Sequence, residues 1–172
     1  QIKHECGIVQ IRLRKPLSTY ASDHYGLNKL YLMMEKQHNR GQEGAGVACV
    51  KVNAEPGREY IARERALGSS AIATIFEVIK ENDNHPNRPY IGELYLGHLR
   101  YASGNKRGMA YVHPFLRRSN WRCRTLCIAG NFGYTNVDNV FEELVQQGQF
   151  PRNSADTHVL LEQLGYMLDD QC

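Results

Sequence analysis

Three glycines in six positions, Gly41, Gly44 and Gly46, stand between a segment of helical period and a segment of strand character. Upstream, Leu27, Leu30, Tyr31 and Met34 fall at i, i+3, i+4 and i+7, which predicts a helix ending near Gln37 with that face turned inward. Downstream, Val47 to Val52 reads as a strand. The chain must pass from one to the other through the glycine-rich run Asn39-Arg40-Gly41-Gln42-Glu43-Gly44-Ala45-Gly46. That run invites a phosphate-loop reading, and the reading fails. No Gly-Lys-Ser/Thr is present, and the glycine order does not match a dinucleotide fingerprint following a strand.

Around this junction the pattern predicts strands over Cys6–Leu13, near Tyr60–Ala62, over Ile91–Leu99 and over Cys123–Ile128. Helices are expected over Ala71–Lys80, over Val137–Gln147, and from Ser154, a good N-cap, through Leu160, Leu161, Leu164 and Leu168. Asn82–Pro89 reads as a loop, and Ser103–Phe115 lies in a long polar connection. Strands come in runs without regular βαβ alternation, which argues for an α+β architecture over a doubly wound sheet. The length, 172 residues, suits one domain with a sizeable core. Hydrophobic residues at 42% against 23% charged exclude a disordered linker or a fibre.

Several classes of function drop out. No apolar run approaches the roughly 18 residues needed to span a bilayer. The polar start Gln-Ile-Lys-His-Glu lacks a secretory signal's apolar stretch, so the expected location is cytoplasmic. Five cysteines at 6, 49, 123, 127 and 172 make no disulfide framework and no Cys-x-x-Cys pair, so reduced thiols are expected. A net charge of +3 argues against a nucleic-acid partner, and the cluster Arg117, Arg118, Arg122 and Arg124 around Trp121 reads as a solvated loop edge. The seven histidines show no metal-ligand spacing, so no metal is expected.

Cys6 heads a strand and is followed by glycine, a place where a thiol could be presented at the rim of a sheet. A free thiol has a pKa near about 8.5 and needs a base or a positive neighbour to act as a nucleophile at neutral pH. An α-amino group on the same residue, pKa about 8, could be that base if Cys6 were the first residue. A buried structural cysteine is the other reading of the same spacing.

Read together, Cys6-Gly7-Ile8, Gln37-His38-Asn39-Arg40-Gly41-Gln42-Glu43-Gly44-Ala45-Gly46, Gly97-His98-Leu99-Arg100-Tyr101, Gly130-Asn131-Phe132, Thr135-Asn136 and Ser154-Ala155-Asp156-Thr157 occur in order. This set resembles the glutaminase domain of the class II, N-terminal-nucleophile glutamine amidotransferases, and within them the amidophosphoribosyltransferase branch. The resemblance covers nearly the whole chain. It implies a four-layer αββα sandwich of two antiparallel sheets, and glutamine as substrate.

By resemblance, Cys6 attacks the side-chain amide of glutamine, releasing ammonia and leaving a thioester for water to cleave. Arg100 would hold the substrate α-carboxylate, which a guanidinium fork can grip bidentately. Tyr101 of the same segment would also bind the substrate, and Ser103 would offer it a hydroxyl. Asp156 would take the α-ammonium, and Arg40 with Gly41 would form the loop packed on the nucleophile. The family's Asn-Gly oxyanion pair falls on Asn131 and Phe132, so the asparagine survives while Phe132 must donate through its backbone N–H. Gly133 is the fallback for the missing glycine.

The resemblance further implies that residues 1–5 are a leader or propeptide, that 6–172 is the glutaminase domain, and that the chain is part of something longer. The phosphoribosyl-transferring half, with its magnesium, is not found after Asp156. This domain would need no cofactor, and its partner would be an ammonia-accepting synthase or transferase domain. A homo-oligomer is compatible with it. Three rivals stay open: the glutaminase domain of another class II enzyme, a catalytically silent module, and a thiol hydrolase pairing Cys6 with His98 or His38.

Overall fold

The computed structural model describes residues 5–101 and 107–169 and divides into two units, one up to Pro114 and one from Phe115 onward. The first unit is built on four antiparallel strands, β1 (Gly7–Arg12), β2 (Gly44–Val50), β3 (Ile61–Leu67) and β4 (Leu94–Arg100), in the order β1-β4-β2-β3. Gly7 lies opposite Leu99, Gly44 opposite Arg100 and Gly46 opposite Arg65. Two helices, α1 (Tyr25–Lys36) and α2 (Ala71–Glu81), cover one face.

Alternation decides which side chains meet those helices. Val9 of β1, Ala45, Val47 and Cys49 of β2, and Tyr95 and Leu99 of β4 join Leu27, Leu30 and Met34 of α1 and Ile72, Ile75 and Ile79 of α2 in one apolar core. Leu30, Met34 and Ile75 have no exposed surface, and burying each is worth about 1.5–3 kcal/mol. Small residues let α1 come close: a Cβ on Gly97 would lie 2.8 Å from the Met34 sulfur.

The face expected for α1 is corrected at one place. Leu27, Leu30 and Met34 are buried, but Tyr31 is 39% exposed and packs edge-on against Phe76 of α2, with ring centroids 5.0 Å apart. The elements otherwise shift by a few residues at their ends: the strand expected from Ile91 begins at Leu94, and the strand near Tyr60–Ala62 runs on to Leu67.

On the opposite face lies the segment Met109–Pro114, expected as plain connection. Strand β3 turns Arg63 and Arg65 to that side by alternation. The Arg65 guanidinium donates to the carbonyls of Val112 (2.7 Å) and Met109 (3.2 Å), and Arg63 to that of Pro114 (3.3 Å). Burial, with Arg63 alongside, pulls the Arg65 pKa below the ordinary arginine value. Beneath the segment, β2 can carry only small groups: a Cβ on Gly46 would collide with the His113 carbonyl. The glycines of this strand therefore serve close backbone packing.

The second unit pairs two short antiparallel strands, β5 (Phe115–Arg117) and β6 (Leu126–Ile128), with α3 (Val137–Gln146) and α4 (Asp156–Asp169). Val140, Leu144 and Val159 form its core, with Tyr134, Val137 and Phe141 packed on them. Strand β6 is half the length expected, because Arg122–Arg124 is a 3-10 turn. Arg117 is no solvated loop residue. It sits on β5 with its side chain 18% exposed, paired with Asp169 (2.6 Å) and Glu162 (3.3 Å), and its stem crosses α4 where Gly165 leaves room. Helix α4 begins two residues after Ser154, where the Asn153 side chain accepts the Ala155 N–H at 2.9 Å. Among the described residues no helix is long and apolar enough to cross a membrane.

Candidate active site

Cys6 immediately precedes β1, and continuing the pairing of Gly7 with Leu99 brings it opposite Arg100 at the end of β4. The Tyr101 N–H donates to Sγ at 3.4 Å, and the thiol donates to the Tyr101 carbonyl at 3.6 Å. Cys6 is half-buried, so the sulfur sits at the sheet rim rather than in the interior. Among the described residues its hydrogen bonds run to the Tyr101 backbone, and neither His38 nor His98 bonds to it. His98 is fully buried instead, with its ring 4.3 Å from that of His113.

The connection from α1 to β2 wraps this rim. The Gln37 side-chain amide donates to the Ile8 carbonyl at 3.4 Å, and a Cβ on Gly7 would lie 2.9 Å from Gln37 Oε1. Farther along, the Glu43 N–H donates to the Arg100 carbonyl at 3.2 Å, and the Gly68 N–H to the Glu43 carbonyl at 2.9 Å. Gly41 lies so close that a Cβ there would be 2.6–2.8 Å from Leu99 and Arg100 backbone atoms. This residue must be glycine for the loop to seat against the strand end that holds Cys6.

Arg100 is half-buried, with its guanidinium carbon 5.7 Å from the centre of the Tyr111 ring. A planar guanidinium over an aromatic face is held in orientation. Tyr111 belongs to the segment held by Arg65, so the support of Arg100 passes back to β3.

In the second unit Asp156 is the first residue of α4, where the helix dipole favours a carboxylate. Its Oδ2 accepts the Tyr134 N–H at 3.1 Å, and a Cβ on Gly133 would lie 3.8 Å from it. The structure thus brings the segment after Asn131 and Phe132 against Asp156. Asn131 and Phe132 are both exposed, and the Phe132 ring folds back over Gly130. Arg88 is the only described non-glycine residue with positive φ, so Phe132 presents its N–H without left-handed strain.

Of the remaining expectations, Ser103 lies outside the described residues, and Arg40 is described only as part of the 3-10 turn His38–Arg40. Sequence reasoning assigned no role to Gln37 or Tyr111. Gln37 stood inside a quoted segment, whereas Tyr111 carried no signal, because its partner is eleven positions away on a different element.

No protein-family model matches the chain. It is 32% identical over 161 residues to the amidophosphoribosyltransferase of Bacillus subtilis, covering 92% of this chain and 28% of that protein. Amidophosphoribosyltransferase 3, chloroplastic, of Arabidopsis thaliana is 27% identical, covering 94% and 26%. The Lacticaseibacillus casei amidophosphoribosyltransferase is 28% identical, covering 93% and 70%. The chain therefore spans about a quarter of the first two relatives. Among solved structures, that of the allosteric regulatory enzyme of purine biosynthesis superposes with a TM-score of 0.67 at 25% identity, covering 95% of this chain and 31% of the other. The chain is homologous to the N-terminal, glutamine amidotransferase part of the amidophosphoribosyltransferases.

Proposed function

We propose that this chain hydrolyses the side-chain amide of glutamine through a cysteine thioester, and supplies the ammonia as the glutaminase part of an amidophosphoribosyltransferase in purine biosynthesis. The observation that carries the reading is the half-buried Cys6 sulfur on the Tyr101 backbone, one residue from Arg100.

The chemistry needs a thiolate and a proton shuttle. In the chain as it stands the Cys6 nitrogen is acylated by Glu5 and cannot act as a base. Cutting that bond frees an amine of pKa about 8 on the same residue as the thiol. The amine takes the Sγ proton as sulfur attacks the amide carbon, then passes it to the departing nitrogen, which leaves as ammonia. Water, deprotonated by the same amine, cleaves the γ-glutamyl thioester to glutamate and restores the thiol. Arg100 grips the substrate α-carboxylate, supported by Tyr111, and Tyr101 fixes the sulfur through its backbone.

For the residues of the second unit the roles rest on resemblance. Asn131 donates its side-chain amide and Phe132 its N–H to the oxyanion, each such donor being worth about 10²–10³ in rate. Asp156 takes the α-ammonium, and in the first unit Ser103 and Arg40, again by resemblance, complete the substrate contacts. The layering belongs to the same reading, an αββα sandwich of N-terminal-nucleophile type. So do the absence of any cofactor in this domain, an ammonia-accepting transferase domain as partner, and a cytoplasmic setting.

The test compares the 172-residue chain with one beginning at Cys6, following ammonia release from glutamine. Turnover confined to the chain beginning at Cys6, and abolished by Cys6→Ala, is the expected result. Strong turnover by the longer chain would refute the amine as base, and none by the shorter would refute the function.

A further inference from the structure

Outside the Cys6 region, residues of α1 and α2 and of the segment that follows α2 line a half-open cavity of about 300 Å³. That volume is at the small end of ligand sites, enough for a one- or two-ring molecule. Its walls are apolar and aromatic: Leu27 and Tyr31 from α1, Phe76 and Ile79 from α2, then Tyr90 and Ile91. The Tyr31 and Phe76 rings already meet edge-on at 5.0 Å, and the Tyr90 hydroxyl is engaged with Glu64 at 3.4 Å. The lining is mainly apolar and carries three aromatic rings, which suits an aromatic guest.

The rim is polar and largely self-satisfied. Arg88 donates to Asp23 (2.5 Å) and Asp83 (3.1 Å), while His24 lies 2.7 Å from Asp23 through Nδ1 and 3.0 Å from Asp83 through Nε2. Arg88, at φ 38°, is fixed by these partners and by its N–H bond to the His85 carbonyl at 2.8 Å. With its guanidinium committed to two carboxylates, this network offers little to a guest. Lys80 and Asn28 differ. Both line the cavity, and neither side chain makes a hydrogen bond or ion pair among the described residues. One uncommitted ammonium favours an anion, and a single such charge beside a spare amide suits a carboxylate better than a dianionic phosphate.

The geometry points to a binding site for a small aromatic carboxylate, its ring against Tyr31 and Phe76 and its carboxylate on Lys80 and the Asn28 amide. This site is separate from the glutamine chemistry and does not depend on it.

The probe is 2-naphthoate, titrated calorimetrically into the 172-residue chain, with neutral 2-naphthamide as the matched control. Saturable one-to-one binding is expected, with the amide about fivefold weaker, as a single exposed ion pair allows. Lys80→Gln removes that difference, Asn28→Trp fills the space and abolishes both, and Cys6→Ala leaves both unchanged. Positions 28 and 80 are both exposed, so the fold survives their replacement, and far-UV circular dichroism checks it. The proposal is overturned if naphthoate does not saturate, if the amide binds equally well, or if Asn28→Trp leaves binding intact. It is also overturned if the free chain self-associates and Asn28→Trp makes it monomeric, since the cavity would then be a contact between copies.

Discussion

Replacing Gly41 by alanine tests how the loop after α1 supports the nucleophile. At φ −145° and ψ 110° alanine meets no backbone penalty, so any effect is steric. The new Cβ would sit 2.6 Å from the Leu99 carbonyl carbon, 2.7 Å from its oxygen and 2.8 Å from the Arg100 carbonyl carbon. Carbon atoms prefer about 3.5–4.0 Å, so loop and strand must part by about 1 Å. All three obstacles are backbone in a paired strand, which cannot step aside as a side-chain tip would. Overpacking of this kind costs about 1–3 kcal/mol. Displacing catalytic groups by about 1 Å costs about a hundredfold in rate. Gly148→Ala is the control: its φ of 84° is strained for alanine, but nothing lies within 4 Å of the added carbon. The assay is urea unfolding together with the rate at which a glutamine-mimicking diazoketone alkylates Cys6 in the chain beginning at that residue. Gly41→Ala should lose both stability and labelling rate, and Gly148→Ala stability alone, by about 1 kcal/mol. Equal labelling rates in the two variants would refute the idea that this loop seats the nucleophile.

Arg100→Lys keeps the charge but loses the bidentate fork and the stack on Tyr111, so KM for glutamine should rise about tenfold or more in steady-state assays. His38→Gln should leave the labelling rate of Cys6 unchanged, because no histidine bonds to the sulfur; a loss of about tenfold would favour the thiol-hydrolase rival. Asp23 titrates below the ordinary carboxylate value chiefly because Arg88 donates to it. Burial pushes Asp83 the other way, but hydrogen bonds from Arg88 and His24 overcome it and it too is lowered. Stability from these pairs is present above about pH 4 and is lost as pH falls through the depressed folded values, so Arg88→Gln should flatten the acid limb of unfolding curves. Burial, aided by Arg152 and opposed by Glu162, holds the His158 pKa below its ordinary value. Its contribution is complete above about pH 6.5 and falls away as pH drops toward the folded value, which an NMR titration of its ring would show.

Much of the first unit was legible because periodicity reports burial. Leu27, Leu30 and Met34 announce α1, and Val47 to Val50 a strand buried on both faces. Tyr31 misled because it lies at the border of the helix stripe, where a large ring can turn toward a neighbouring helix. The extent of β3 was hidden by Arg63, Glu64 and Arg65, which look like loop residues until the segment that the arginines hold is known. That segment lies 47 positions from Arg65, beyond any local pattern. For the same reason the arginine cluster looked solvated, while the partners of Arg117 lie 45 and 52 positions away on α4. The pairing of Cys6 with Tyr101 was likewise not a spacing signal, though the quoted segments held both residues. Asp156 drew attention as a charge at a helix start, and its bond to Tyr134 became visible only in three dimensions.

The most direct measurement is intact-mass and peptide-mapping analysis of the chain beginning at Cys6 after exposure to the glutamine-mimicking diazoketone. One adduct on Cys6, slowed by free glutamine and absent from the chain in which Glu5 still acylates that residue, is the predicted result. Adducts spread over Cys123 and Cys127, or labelling of Cys6 that glutamine does not slow, would contradict Cys6 as the nucleophile of a glutaminase.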